Sequence, residues 1–130
     1  MIEFFVAMKN VLTTTHQMKQ VNFKNKTIYE PPELKAARST LMAHVGQFSI
    51  GEPLTGPLRL TVKWLFPITG KHHDGQYKDT KPDTDNLNKL LKDCMTDLRF
   101  WKDDAQVASE IIEKFWSEKT GIYIRIEELE

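Results

Sequence analysis

The sequence predicts an α+β domain, a mixed β-sheet covered by two α-helices. Three observations carry this. Leu58, Leu60, Val62, Trp64 and Phe66 alternate with other residues, the period of a strand with one buried face. Leu87, Leu90, Leu91, Cys94, Met95 and Leu98 recur at helical spacing and form one apolar stripe. The chain has 130 residues, 40% hydrophobic and 28% charged, which suits one soluble domain over residues 1–130 with a core of its own.

The elements follow in order. Residues 2–8 read as a strand; no basic segment precedes their apolar run, so they make a poor signal peptide. Residues 9–17 are polar and read as a loop. Residues 18–29 read as a hairpin, with Lys24, Asn25 and Lys26 as its turn between Val21/Phe23 and Ile28/Tyr29. Pro31 and Pro32 open a helix, since proline suits a first helical turn. That helix runs to about Gly46, buries Leu34, Ala37, Leu41 and Val45, and exposes Lys35 and Arg38. Gly51, Pro53 and Gly56 mark a loop, and the strand of residues 58–66 ends at Pro67. Residues 67–82 form a long polar loop, a length that points to function or disorder. Pro82 and Asp83 open the second helix. Residues 99–104 read as a short polar connector. Residues 105–116 and 121–128 read as two strands joined by a turn at Ser117–Thr120.

The net charge is zero, but its distribution is not even. Residues 1–82 carry 11 Lys/Arg against 6 Asp/Glu, and residues 83–130 carry 7 against 12. An enzyme that needs carboxylates for a metal and cations for phosphate shows such a split, as do many ordinary domains. Cys94 is the one cysteine, so no internal disulfide forms; this fits a cytoplasmic protein, and the stripe position reads as a buried structural thiol. No apolar run approaches the roughly 20 residues of a membrane span.

The chemistry concentrates in two blocks. The first contains Asp83, Asp85, Asn86 and Lys89 at a loop-to-helix junction. Asp85 and Lys89 are four apart and share a helical face. The second contains Phe100, Trp101, Asp103, Asp104, Gln106 and Val107, just before a predicted strand. If that strand lies beside the helix start, Asp104 or Asp103 completes a three-carboxylate cluster. Such a cluster repels itself unless a cation fills it. A hard divalent ion such as Mg²⁺ takes oxygen ligands and stabilises charge in phosphodiester hydrolysis. Lys89 would then hold the scissile phosphate, orient water or neutralise charge in the transition state. Each residue alone also has a structural reading: an N-cap aspartate, a surface ion pair, a turn. An EF-hand is excluded, because Leu87 and Asn88 stand where a ligand and a glycine are required. His72 and His73 lack cysteine partners at zinc-site spacing. No GxxxxGK[ST], GxGxxG or GxSxG motif is present.

At these blocks the chain resembles the RusA family of Holliday junction resolvases. The family pattern is Asp-x-Asp-Asn-Leu-x-Lys, a helix, and then an aromatic-rich Asp-Asp-x-Gln-Val. Here the first block runs Asp83, Thr84, Asp85, Asn86, Leu87, Asn88, Lys89, and the second runs Asp103, Asp104, Ala105, Gln106, Val107. The match covers about residues 81–128. The resemblance implies a RusA-like fold and a homodimeric endonuclease that nicks four-way DNA junctions symmetrically in recombination and repair, often encoded by phages or prophages. It implies that Asp83, Asp85 and Asp104 bind Mg²⁺ or Mn²⁺ and that Lys89 is the catalytic lysine. The chain departs from the family in residues 9–17, which lack a proline-rich turn, and at Pro82, where a basic residue is usual.

DNA must reach the carboxylates. Lys71, Lys78 and Lys81, in the loop before Asp83, are the first candidates for phosphate contacts. Lys19, Lys24 and Lys26 are second, and Phe23 and Tyr29 are candidates either for base stacking or for the core. Two other readings stay open: a metal-dependent nuclease for flaps or other branched DNA, and a DNA-binding module of the same fold that does not cut. No protein partner other than a second copy is implied.

Overall fold

The computed structural model describes residues 1–12, 20–22 and 27–130, and at 20–22 and 27–29 the backbone alone. Elements follow the predicted order: β1 (Ile2–Ala7), β2 (Gln20–Asn22), β3 (Thr27–Tyr29), α1 (Pro32–Gly46), β4 (Leu58–Pro67), α2 (Thr84–Asp97), β5 (Val107–Ser117) and β6 (Gly121–Glu128). Strands β2 and β3 pair as a separate antiparallel ribbon where the hairpin is predicted. Its turn, Lys19, Phe23, the Tyr29 side chain and residues 13–17 lie outside the described residues.

The main sheet has the order β1-β6-β4-β5. Strand β4 pairs in parallel with β5, and the other pairings are antiparallel, so the sheet is mixed as predicted. A parallel pair needs a crossover connection, and α2 lies in it. The turn after Ser117 joins β5 to β6, yet these strands are not neighbours; they flank β4.

Register decides which residues share a face. Ile2, Ile126, Leu60 and Glu110 form one row across the sheet. Phe4, Ile124, Val62 and Ile112 form the next, and Val6, Ile122, Trp64 and Lys114 a third. Residues two apart along a strand point the same way, so all three rows lie on one face. The rows are apolar through β1, β6 and β4 and turn polar only on β5. This face packs with Leu34, Ala37, Leu41 and Val45 of α1 and Leu87, Leu90, Leu91, Cys94 and Met95 of α2 in one core. Each fully buried leucine contributes about 1.5–3 kcal/mol. Burial pushes the Cys94 thiol up to about 11, as befits a structural cysteine. Among the described residues, no helix is long and apolar enough to cross a membrane.

One predicted segment differs in kind. Residues 99–104 are not simply a polar connector, because Phe100 and Trp101 are fully buried. Helix α2 ends with Arg99 in the left-handed region, at φ 66°. The Arg99 N–H then bonds the Thr96 carbonyl at 3.0 Å, and the Phe100 N–H bonds the Met95 carbonyl at 3.1 Å. These bonds satisfy free helix-end carbonyls and turn the chain back under the helix. Phe100 then stacks on Phe4 with ring centroids 5.8 Å apart. Trp101 donates its indole N–H to Thr96 Oγ1 at 2.7 Å. Charged neighbours on both sides hide this burial in a linear reading.

Candidate active site

Helix α2 fixes one wall of the candidate site. Its apolar stripe is locked into the core, so Asp85, Asn88, Lys89 and Lys92, at helical spacing on another face, have set positions. Strand β5 supplies the opposite wall through Glu110. Between them lies a cavity of about 400 Å³, lined by these five residues and by Asp104. Two blocks 19 residues apart in sequence thus meet in space, and Asp85, Lys89 and Asp104 line one cavity. Asp83 does not line this cavity. It precedes the first helical turn in an extended conformation, with φ −73° and ψ 144°. Among the described residues, no three Asp, Glu, His or Cys side chains converge closely enough to hold a metal ion.

The structural readings of the individual residues divide. Asp83 is the N-cap residue of α2, yet its side chain accepts no capping hydrogen bond. The ion pairs of the described residues do not include Asp85 with Lys89. Asp103 and Asp104, left open by sequence, separate clearly. Asp103 caps the short 3₁₀ turn Asp104–Gln106, where its carboxylate accepts the Ala105 N–H at 2.9 Å. Asp104 is the residue that reaches the cavity. It also borders a second cavity of about 460 Å³ with Arg38, Asp93, Asp97 and Lys102, but neither Asp85 nor Lys89 lines that one.

Gln106 anchors the turn that carries Asp104. Its Oε1 accepts the Lys102 and Asp103 N–H groups at 2.9 and 3.1 Å. Its Nε2 donates to the Leu54 and Gly56 carbonyls, both at 3.1 Å. Gln106→Ala removes all four bonds. We expect a loss of about 2 kcal/mol in urea unfolding. An unchanged midpoint would show that the turn does not depend on this side chain.

The carboxylates of the cavity line its walls without converging on one point. Asp85 and Asp104 offer carboxylate oxygens, the ligand type of a hard divalent cation, whereas both Glu110 oxygens accept hydrogen bonds from Lys92 and Asn88. Asn88 is 6% exposed, and its Oδ1 has no hydrogen-bond partner, an acceptor left open beside those carboxylates. Sequence reasoning missed Asn88, Lys92 and Glu110. Lys92 and Asn88 carry a helical-spacing signal relative to Lys89 and Asp85. Glu110 carries none, because its face depends on how β5 registers with β4.

The loop before Asp83 is tied down. Gly75 N–H bonds the Trp116 carbonyl at 2.7 Å, Trp116 N–H bonds the Gln76 carbonyl at 2.8 Å, and Lys78 N–H bonds the Lys114 carbonyl at 3.0 Å. The loop therefore lies along the outer edge of β5. His72 stacks on Trp116 with centroids 4.2 Å apart. Lys114 donates its ammonium to the Thr80 and Pro82 carbonyls at 2.5 and 2.7 Å, which holds the chain just before Asp83. Lys71 and Lys81 are exposed. Lys78, the third predicted phosphate contact, also makes contacts within the protein. Its Nζ donates to Thr80 Oγ1 and to the Lys81 carbonyl, and lies 4.4 Å from the Trp116 ring centroid. Burial, and then the Lys114 charge, pull its pKa below the ordinary lysine value.

The family model of endodeoxyribonuclease RusA matches residues 11–127. A crossover junction endodeoxyribonuclease rusA of Lactococcus phage r1t is 41% identical over 73 residues, 56% of this chain and 56% of the phage protein. An uncharacterized protein, YqaN, of Bacillus subtilis (strain 168) is 32% identical over 87 residues, 58% of this chain and 61% of that protein. The chain thus spans about three-fifths or less of the length of these two relatives.

Proposed function

The chain belongs to the RusA endodeoxyribonuclease family, and from that premise we propose that it is a Mg²⁺-dependent endonuclease that resolves four-way DNA junctions in recombination and repair. The observation that carries this reading is the cavity in which Asp85, Lys89 and Asp104 meet. Asp85 and Asp104 would hold the cation, with Asp83 joining them from the helix start; Mn²⁺ would substitute. When bound, the cation supplies Lewis-acid stabilisation of charge on the phosphoryl group. Lys89 donates N–H bonds to a non-bridging phosphate oxygen and steadies the same charge in the transition state. The reaction is in-line hydrolysis: a water oxygen bonds to phosphorus as the bond to the leaving oxygen breaks. Lys71 and Lys81 contact the flanking backbone, and Lys78 stiffens the loop that carries them. A homodimer would present two such sites to the two strands of a junction.

The test is a cleavage assay on a four-way junction, a flap and a plain duplex, with Mg²⁺, Mn²⁺ or EDTA. We expect paired nicks in opposed junction strands with either metal and none in EDTA. Metal-dependent cutting of flaps alone would replace the resolvase with a flap nuclease. Tight junction binding with no cutting in any metal would favour a module that binds without cleaving.

A further inference from the structure

The cavity contains a polar unit that the proposed chemistry does not use. Lys92 stands one turn beyond Lys89 and two turns beyond Asp85, so it shares their face of α2. Its side chain is 20% exposed and its Nζ bonds Glu110 Oε1 at 2.6 Å. The other Glu110 oxygen accepts Asn88 Nδ2 at 2.9 Å. One carboxylate from β5 thereby holds two residues of α2, with each of its oxygens assigned.

Glu110 is exposed and Lys92 only half-buried, and an ion pair open to solvent adds little to the hold of a helix on a sheet. The row in which Glu110 lies is otherwise Ile2, Ile126 and Leu60. Glu110 leaves two of the three ammonium protons of Lys92 free for another acceptor. The cavity holds three carboxylates against two ammonium groups, one net negative charge, and a divalent cation would reverse that sign. An anionic group is then the natural acceptor.

We infer that Lys92 is a second phosphate-contacting lysine of the cavity, beside Lys89, and that Glu110 is its positioning residue. Lys92 takes an oxygen of the DNA phosphate next to the one held by Lys89. Glu110 keeps its ammonium in the cavity when DNA is absent and fixes the orientation of the Asn88 amide, which leaves Asn88 Oδ1 open toward the same space. This inference rests on the nuclease reading above.

The test is the salt dependence of junction affinity. A fluorescent four-way junction would be titrated with the full chain in Ca²⁺ over a range of salt concentrations, for the wild type, Lys92→Met, Lys92→Arg and Glu110→Gln. Each phosphate neutralised contributes about 0.9 to the slope of log affinity against log salt. We expect Lys92→Met to lower the slope by about that amount and Lys92→Arg to restore it. Glu110→Gln keeps the slope of the wild type, because the lysine charge remains, but slows cleavage in Mg²⁺ at saturating DNA. A Lys92→Met slope equal to the wild type, with a lower melting temperature, would overturn the inference and make Lys92 a structural clamp. Absence of junction binding by the wild type would instead overturn the junction-resolving reading, and this inference with it.

Discussion

Asp85→Asn is expected to slow DNA cleavage by about two to three orders of magnitude while the protein folds and binds junctions as before. Asparagine has the same shape and removes one negative charge. Asp85 is exposed on the first turn of α2 and forms no ion pair with Lys89, so the fold does not rely on that charge. The reaction does, if the carboxylate holds the cation. Losing a cation that supplies several kcal/mol to the transition state slows cleavage by about two to three orders of magnitude. Junction affinity holds or rises slightly, since a charge repelling phosphate has gone. Asp103→Asn is the control. Asparagine caps a helical turn as well as aspartate does, so this variant should cut at nearly the wild-type rate. Single-turnover cleavage and fluorescence binding measure both quantities. Full activity in Asp85→Asn would refute the site assignment.

Gly121→Ala is the second large effect, and it falls on the fold. Gly121 opens β6, pairs with Ala7 of β1 and has φ 149°, a conformation that L side chains rarely adopt. A Cβ there would lie 2.2 Å from the Val6 carbonyl oxygen and 2.7 Å from the Phe5 ring. The oxygen belongs to backbone, so β1 itself must move. Backbone strain and steric crowding together cost about 3–4 kcal/mol. Urea unfolding should show that loss. Hydrogen exchange should show it concentrated in β1, with the amides of β4 much less affected. A variant as stable as the wild type would mean that β1 pairs differently in solution.

Much of this molecule is legible from its sequence, and the reasons are local. The alternation of residues 58–66 and the stripe from Leu87 to Met95 report a buried face directly, and both elements form where the periodicity puts them. The meeting of Asp85, Lys89 and Asp104 is legible because family-like motifs bracket one helix. What escapes is set by partners distant in sequence. Phe100 and Trp101 are buried because a non-glycine residue, Arg99, takes the left-handed turn, and its side chain does not announce that. Glu110 faces the helix because β5 registers with β4, and alternation within residues 105–116 is too mixed to tell which side faces in. Lys78 looks like any loop cation until Trp116, 38 residues later, is seen beneath it.

The strapping of the loop to β5 has a thermodynamic consequence. A free loop that grips DNA must surrender its backbone freedom on association, which weakens binding. Here Gly75, Gln76 and Lys78 are already paired with Lys114 and Trp116, so the loop is ordered when the chain folds. Lys71 and Lys81 therefore ride on a preorganised backbone. Loosening that strap should penalise DNA affinity through entropy, with the charges of Lys71 and Lys81 still in place.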